Sequence, residues 1–162
     1  LSVEECVEYL AEAVELLRGI NSKVRVVVTV SPIRYAKYGF HGSQLSKATL
    51  LLAADRLVER YRTEESVVVE YFPAYEIVND ELRDYRFYRE DMLHPTDQAV
   101  EYIWERFAET YFSEATNKFL EEWRPIKAAL GHRPFNPDSE EYKEFLSKAK
   151  EKAERLLSRY NE

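Results

Sequence analysis

Two side chains near the middle of the chain have the types and the spacing of a hydrolytic site. Asp91 stands three residues before His94, and a proline follows the histidine. This spacing allows the carboxylate to accept a hydrogen bond from Nδ1 of the imidazole, which leaves Nε2 free as a base. A serine nucleophile needs such a base during ester cleavage. The same spacing also fits an alternative in which Asp91 caps a turn and His94 merely precedes a helix.

The serines of the chain offer no obvious partner for this base. Ser43 follows a glycine and lies close to His41, but it comes after a long loop, whereas the nucleophile elbow of other serine hydrolases follows a strand. Ser31 and Arg34 follow the first predicted strand, at the edge where doubly wound sheets bind ligands. We predict that Ser31, Arg34, His41 and Ser43 line the substrate site, and Ser43 remains an alternative nucleophile.

Composition excludes several classes of function. A net charge of −7 and a pI near 5.2 disfavour nucleic acid as a partner, because binding to phosphates normally needs a clustered basic surface. The single cysteine cannot form an internal disulfide, and no Cys/His group has metal-ligand spacing. We therefore expect no metal and no cofactor.

The sequence also suggests where the protein acts. No apolar run approaches the roughly 20 residues of a membrane span, and the first residues lack the pattern of a secretory signal. These features and the low cysteine content predict a cytoplasmic protein. Because the chain starts at Leu1 and not at methionine, we expect a processed or excised piece.

Hydrophobic periodicity predicts a strand–helix–strand unit behind an N-terminal helix. Ser2 and Glu5 have the spacing of a capping box, and apolar residues then recur at helical intervals. Nearly continuous β-branched runs predict buried strands of a parallel sheet. The predicted elements are a helix over 2–17, a strand over 24–30, a helix over 44–61 and a strand over 67–72.

The later part of the chain is predicted to be helical. Residues 75–90 read as a short helix and a loop, and Thr96 is placed to cap the next helix. Further amphipathic helices follow over 114–130 and within 136–162. We predict two parts: an α/β domain over 1–135, and a C-terminal amphipathic helix over 136–162 that packs on it.

Two strands are too few for a stable parallel sheet, which needs neighbours and cover on both faces. The fold class we predict is therefore α/β, as part of a doubly wound parallel sheet with additional C-terminal helices. The missing strands are expected before Leu1. Alternatively, a second copy of the chain completes the sheet by self-association through its exposed edge.

Several blocks of the sequence resemble the second half of a GSCFA domain. The resemblance runs in order over about Leu1 to Phe135, and the blocks that carry it are residues 30–34, 39–41, 44–48, 71–76, 80–88 and 91–95. GSCFA domains are similar to the SGNH, or GDSL-like, hydrolases, a superfamily with a three-layer sheet between helices. Its last block is Asp-x-x-His, which maps onto Asp91 and His94. The resemblance thus implies that these two residues belong to a catalytic triad.

The chain departs from the family in one respect. The Gly-Ser-Cys-Phe-Ala block, whose serine corresponds to the superfamily nucleophile, is absent from the sequence, and so are the glycine and asparagine blocks of the oxyanion hole. We expect the isolated chain to be inactive. The parent is expected to be a bacterial ester hydrolase or O-acyltransferase acting on an O-acyl ester of a small molecule or glycan. The alternatives are a non-catalytic ligand-binding or scaffold domain, or a stable remnant with no role of its own.

An aromatic and basic cluster stands just before Asp91. Its members are Tyr85, Phe87, Tyr88, Arg83, Arg86 and Arg89. Rings stack on sugar faces and guanidinium groups pair with anions, so such a cluster could bind a sugar or an anion. The alternative, which we favour from sequence, is a packed loop whose arginines pair with the surrounding acids.

Overall fold

The computed structural model describes residues 1–63 and 67–160. Two compact units are present, Leu1–Glu105 and Arg106–Glu162, whereas the sequence prediction set the boundary at 135–136. Residues 161–162 of the predicted C-terminal segment lie outside the described residues. Both predicted site residues, Asp91 and His94, are in the first unit.

Two long helices form most of the first unit. Helix α1, Val3–Ile20, begins with the predicted capping box, in which Ser2 Oγ accepts from the backbone N–H of Glu5 at 3.1 Å. The helix extends three residues past the predicted end at position 17. Helix α2, Gly39–Arg60, starts before the predicted residue 44 and follows a 3₁₀ turn over Ala36–Tyr38.

The predicted parallel pairing is confirmed, but the strands are shorter than expected. Strand β1, Val26–Val28, pairs in parallel with strand β2, Val69–Tyr71. The predictions of strands over 24–30 and 67–72 were wrong in length, because the parallel ladder covers only these residues. Residues of β1 are half-buried and not buried on both faces as predicted, since the sheet of the described residues has only two strands.

The core of the first unit lies where α1 and α2 meet β2. Leu57 of α2 is completely buried and Val69 of β2 is 1% exposed. They pack with Ala11 and Val14 of α1 and with Tyr61, which follows α2. This apolar contact holds the C-terminal part of α2 against the sheet.

A chain of short helical turns leads from β2 to the predicted site. Helix α3, Ala74–Glu76, continues into a π-helical turn over Ile77–Leu82, and a 3₁₀ turn covers Tyr85–Phe87. The expectation of a short helix and a loop is confirmed. Helix α4, Asp97–Tyr111, then begins after Thr96, whose Oγ1 accepts from the backbone N–H of Ala99 at 3.3 Å as a cap.

The second unit contains a pair of packed helices. Helix α5, Glu114–Leu130, has the predicted bounds, and helix α6, Glu140–Tyr160, lies within the predicted segment. Ile126 of α5 packs against Ala153 and Leu156 of α6, and two aromatic side chains of α5 lie against this cluster. Of the helices in the described ranges, none is long and apolar enough to cross a membrane.

Candidate functional site

A short loop between the 3₁₀ turn and α4 carries Asp91 and His94. Its two arms pair as an antiparallel bridge between Tyr88 and Pro95. Backbone hydrogen bonds close the loop: Thr96 N donates to Phe87 O at 2.8 Å, Arg89 N to His94 O at 2.8 Å and Met92 N to Arg89 O at 2.9 Å. The loop is therefore anchored at both ends, which restricts where the two side chains can lie.

The Asp91 carboxylate binds both the imidazole and the backbone of the loop. Its Oδ2 lies 2.6 Å from His94 Nδ1, and its Oδ1 accepts from the N–H groups of Leu93 at 2.9 Å and His94 at 3.0 Å. Met92, with φ of 58°, is in the left-handed region inside this turn. The carboxylate thus caps the turn and holds the imidazole at once, so both roles considered from sequence occur together.

These hydrogen bonds determine the charge and the tautomer of the pair. The N–H groups of His94 and Leu93, followed by the imidazole, lower the pKa of Asp91 to about 2. Asp91 is therefore ionised at neutral pH and can only accept a hydrogen bond. Nδ1 of a neutral imidazole must then carry the proton, which leaves a lone pair on Nε2.

The pair is open to solvent within the described structure. The side chain of His94 is 53% exposed and that of Asp91 is 43% exposed. His94 Nε2 makes no hydrogen bond to any described residue. Nε2 is consequently accessible to an approaching hydroxyl group, which is the requirement for a general base.

Arg34 joins the end of the strand region to this loop. Its backbone N–H donates to Leu93 O at 3.1 Å, and its Nη1 donates to Met92 O at 3.4 Å. The guanidinium carbon lies 4.3 Å from the ring centre of Tyr88 and 5.3 Å from that of Tyr85. Of the predicted lining residues, Arg34 is the one whose described contacts reach the Asp91–His94 loop.

The other three predicted lining residues have different surroundings. Ser31 is exposed, and its Oγ accepts from Ile33 N at 3.3 Å. Ser43 is buried, and its Oγ accepts from Tyr35 N at 3.1 Å. His41 is exposed in the first turn of α2. None of these side chains hydrogen-bonds to the Asp91–His94 loop in the described ranges, and their role as lining residues stays a prediction.

Sequence reasoning missed the part played by Lys47. This lysine is buried in α2, where desolvation lowers its pKa, and its Nζ donates to Ser31 O at 2.6 Å. It therefore fixes the backbone just beyond β1. The signal was present in the helical spacing, because Lys47 precedes the buried residues Ala54 and Leu57 on the same face of α2.

The described residues include no group of three or more His, Cys, Asp or Glu side chains arranged to hold a metal ion.

Comparisons with known proteins place the loop within a family. A model of the GSCFA family matches residues 1–107, which include Asp91, His94 and the predicted lining residues. A second model, described as GSCFA domain protein, C-terminal domain, matches residues 123–162. No curated protein and no solved structure matches the chain.

Proposed function

Because the chain belongs to the GSCFA family, we propose that Asp91 and His94 are the acid and base of an ester hydrolase or O-acyltransferase of the SGNH type. The proposal includes the three-layer α/β fold of that superfamily, of which β1 and β2 form part. One observation carries it: an ionised carboxylate lies 2.6 Å from Nδ1 of an imidazole whose Nε2 is accessible. The substrate class is an O-acyl ester of a small molecule or a glycan.

The reaction follows from the free lone pair on Nε2. As a serine Oγ attacks the ester carbonyl carbon, Nε2 accepts the hydroxyl proton, and a tetrahedral intermediate forms. The imidazolium then gives this proton to the leaving alcohol as the ester C–O bond breaks. Water or an acceptor alcohol next attacks the acyl-serine by the same route, which releases the acid or the transferred ester. Ionised Asp91 stabilises the imidazolium between these steps.

The nucleophile is not identified among these 162 residues. The Gly-Ser-Cys-Phe-Ala block is absent from the sequence. Burial of Ser43 and its bond to Tyr35 N weigh against Ser43 as a substitute. In this proposal the serine lies outside residues 1–162, and the isolated chain turns over no ester above the buffer rate.

The decisive experiment compares variants of an intact protein that contains both this sequence and the Gly-Ser-Cys-Phe-Ala block. With p-nitrophenyl acetate as substrate, His94→Ala is expected to lower kcat/KM by about 10² to 10⁴-fold, the usual contribution of a general base. His132→Ala is the matched control, because that histidine lies in the second unit, and it should retain the parent rate.

Equal rates for the parent and His94→Ala would contradict the catalytic role of His94. Turnover by the isolated chain that disappears in His94→Ala would contradict the absence of a nucleophile, and Ser43→Ala would then identify or exclude that serine.

A second candidate function is ligand binding without turnover. It is favoured by the lack of a serine partner, since no described hydroxyl group hydrogen-bonds to Nε2 of His94. An ester that binds to the intact protein and remains uncleaved would support this candidate.

A further inference from the structure

Arg34 is a cation without a carboxylate partner beside the Asp91–His94 loop. Nearby arginines have such partners: Arg86 pairs with Asp84 and Arg89 pairs with Asp97. In the described ranges, no carboxylate lies within ion-pair distance of Arg34, although the chain carries a surplus of acids. Arg34 is half-buried, and a guanidinium has five N–H donors that can form paired hydrogen bonds to an anion.

Two tyrosine rings hold the guanidinium in position. Tyr88, on one side, is buried, while Tyr85 is 63% exposed. Only one guanidinium N–H is used within the described chain, in the 3.4 Å contact to Met92 O. The rings restrain the guanidinium. Since a guanidinium has five N–H donors, several donors of Arg34 remain available.

A second polar group, on a ring that contacts Arg34, also lacks a partner. The hydroxyl of Tyr88 is buried and makes no hydrogen bond to any described residue. Buried hydroxyl groups almost always have a partner, and one without a partner is explained by strain, by a functional role or by a bound water or ion. The unpaired cation and the unpaired hydroxyl belong to side chains in direct contact.

We propose that Arg34, with Tyr85 and Tyr88, forms a subsite for an anionic group with paired oxygens, as in a carboxylate or a phosphate. A guanidinium matches such a group with two parallel N–H bonds. Because Arg34 N bonds to Leu93 O, the subsite adjoins His94, and the anion is carried by the ester that His94 cleaves. This last step rests on the proposed function, whereas the anion binding itself does not require turnover.

The test measures binding to the chain itself by NMR at constant ionic strength. Three small probes are compared: monomethyl succinate, an anionic ester; methyl phosphate, a phosphate monoester; and dimethyl succinate, a neutral ester of similar shape. At least one anion should produce saturable shifts of the Leu93 and His94 amides, and the neutral ester should produce none. The more tightly bound anion identifies the natural group as a carboxylate or a phosphate.

Variants determine whether Arg34 is responsible. Arg34→Gln should abolish the saturable shifts, and Arg34→Lys should weaken binding at least about tenfold, because it keeps the charge and loses the paired donors. Arg18→Gln is the matched control: Arg18 also lies over a tyrosine ring, that of Tyr61, but it pairs with Glu15. This variant should bind as the parent does.

The proposal is overturned if neither anion binds, if dimethyl succinate causes the same shifts, or if Arg34→Gln binds as tightly as the parent. If Arg34→Gln alters the amide spectrum of the whole first unit, the Arg34→Lys variant is used instead. Anion binding by Arg34→Lys that is as tight as in the parent would overturn the role of the paired donors. If an anion binds but His94→Ala cleaves the ester as fast as the parent, only the proposed function is refuted. If His94→Ala loses ester cleavage but neither anion binds, only the subsite is refuted.

Discussion

At the scale of single residues, the state of Asp91 results from hydrogen bonds and not from burial. Two backbone N–H groups and one imidazole N–H surround the carboxylate, and they lower its pKa from the usual 3.8 to about 2. A folded-state pKa below the unfolded value means that these bonds stabilise the loop above about pH 4. This contribution is lost as the pH falls towards 2, so the Asp91–His94 arrangement is complete at neutral pH.

Removal of the imidazole should raise the pKa of Asp91. In His94→Ala one of the three hydrogen bonds is lost, while the backbone N–H groups of residues 93 and 94 remain. We therefore expect a pKa above that of the parent but still below 3.8. The measurement is the carboxyl ¹³C shift of Asp91 as a function of pH.

His132→Ala serves as the control in this titration and should leave the Asp91 midpoint unchanged. If His94→Ala also leaves it unchanged, the Nδ1 hydrogen bond does not form in solution, and the proposed base loses its orienting partner.

At the scale of elements, the segment between β2 and α4 depends on an unusual backbone conformation. Arg83 ends the π-helical turn with φ of 44°, in the left-handed region, and its N–H donates to Val78 O at 3.1 Å. Residues with a Cβ rarely adopt this conformation, which glycine adopts without steric cost. This turn directly precedes the segment that carries Tyr85 and Tyr88, the two rings that contact Arg34.

Arg83→Gly should stabilise the protein by about 0.5 to 1 kcal/mol, since glycine relieves the left-handed strain and loses some of that gain through its more flexible unfolded state. Urea unfolding measures the change. The control is Arg86→Gly, in a 3₁₀ turn where φ is negative, which should lower stability by a similar amount. If both variants are destabilised equally, Arg83 carries no strain.

At the scale of the whole molecule, the first unit is stabilised by a small apolar core. Leu57 is fully buried among residues of α1 and β2, whereas Leu52 on the same helix is 52% exposed. The core therefore connects the two long helices to the sheet. Strand β1 of this sheet precedes Arg34, and strand β2 precedes the segment that leads to the Asp91–His94 loop. Truncation of the Leu57 side chain should therefore destabilise the entire first unit.

Leu57→Ala should lower the free energy of unfolding by about 2 to 5 kcal/mol, because it removes buried methyl groups and leaves a cavity. Leu52→Ala, which removes the same atoms from an exposed position, should cost less than about 1 kcal/mol. Urea unfolding followed by circular dichroism gives both values. Equal losses in the two variants would contradict the placement of the core.

Sequence alone determined the features that depend on residues close to one another in the chain. The capping box at Ser2 and the cap at Thr96 were predictable because each involves partners within three residues. The hydrogen bond between Asp91 and His94 belongs to the same class. The parallel pairing of the strands followed from the helix between them, and the family from blocks of residues in a fixed order.

Tertiary structure alone decided the features that depend on distant segments. Arg34 and Met92 are 58 residues apart, and no local pattern predicts that they meet between two tyrosine rings. Burial of Lys47 and Ser43, the short strands and the division into units after Glu105 were likewise not predicted. The physical reason is that local hydrogen bonds are set by spacing along the chain. Burial and long-range contacts depend instead on which surfaces pack together when the whole chain folds.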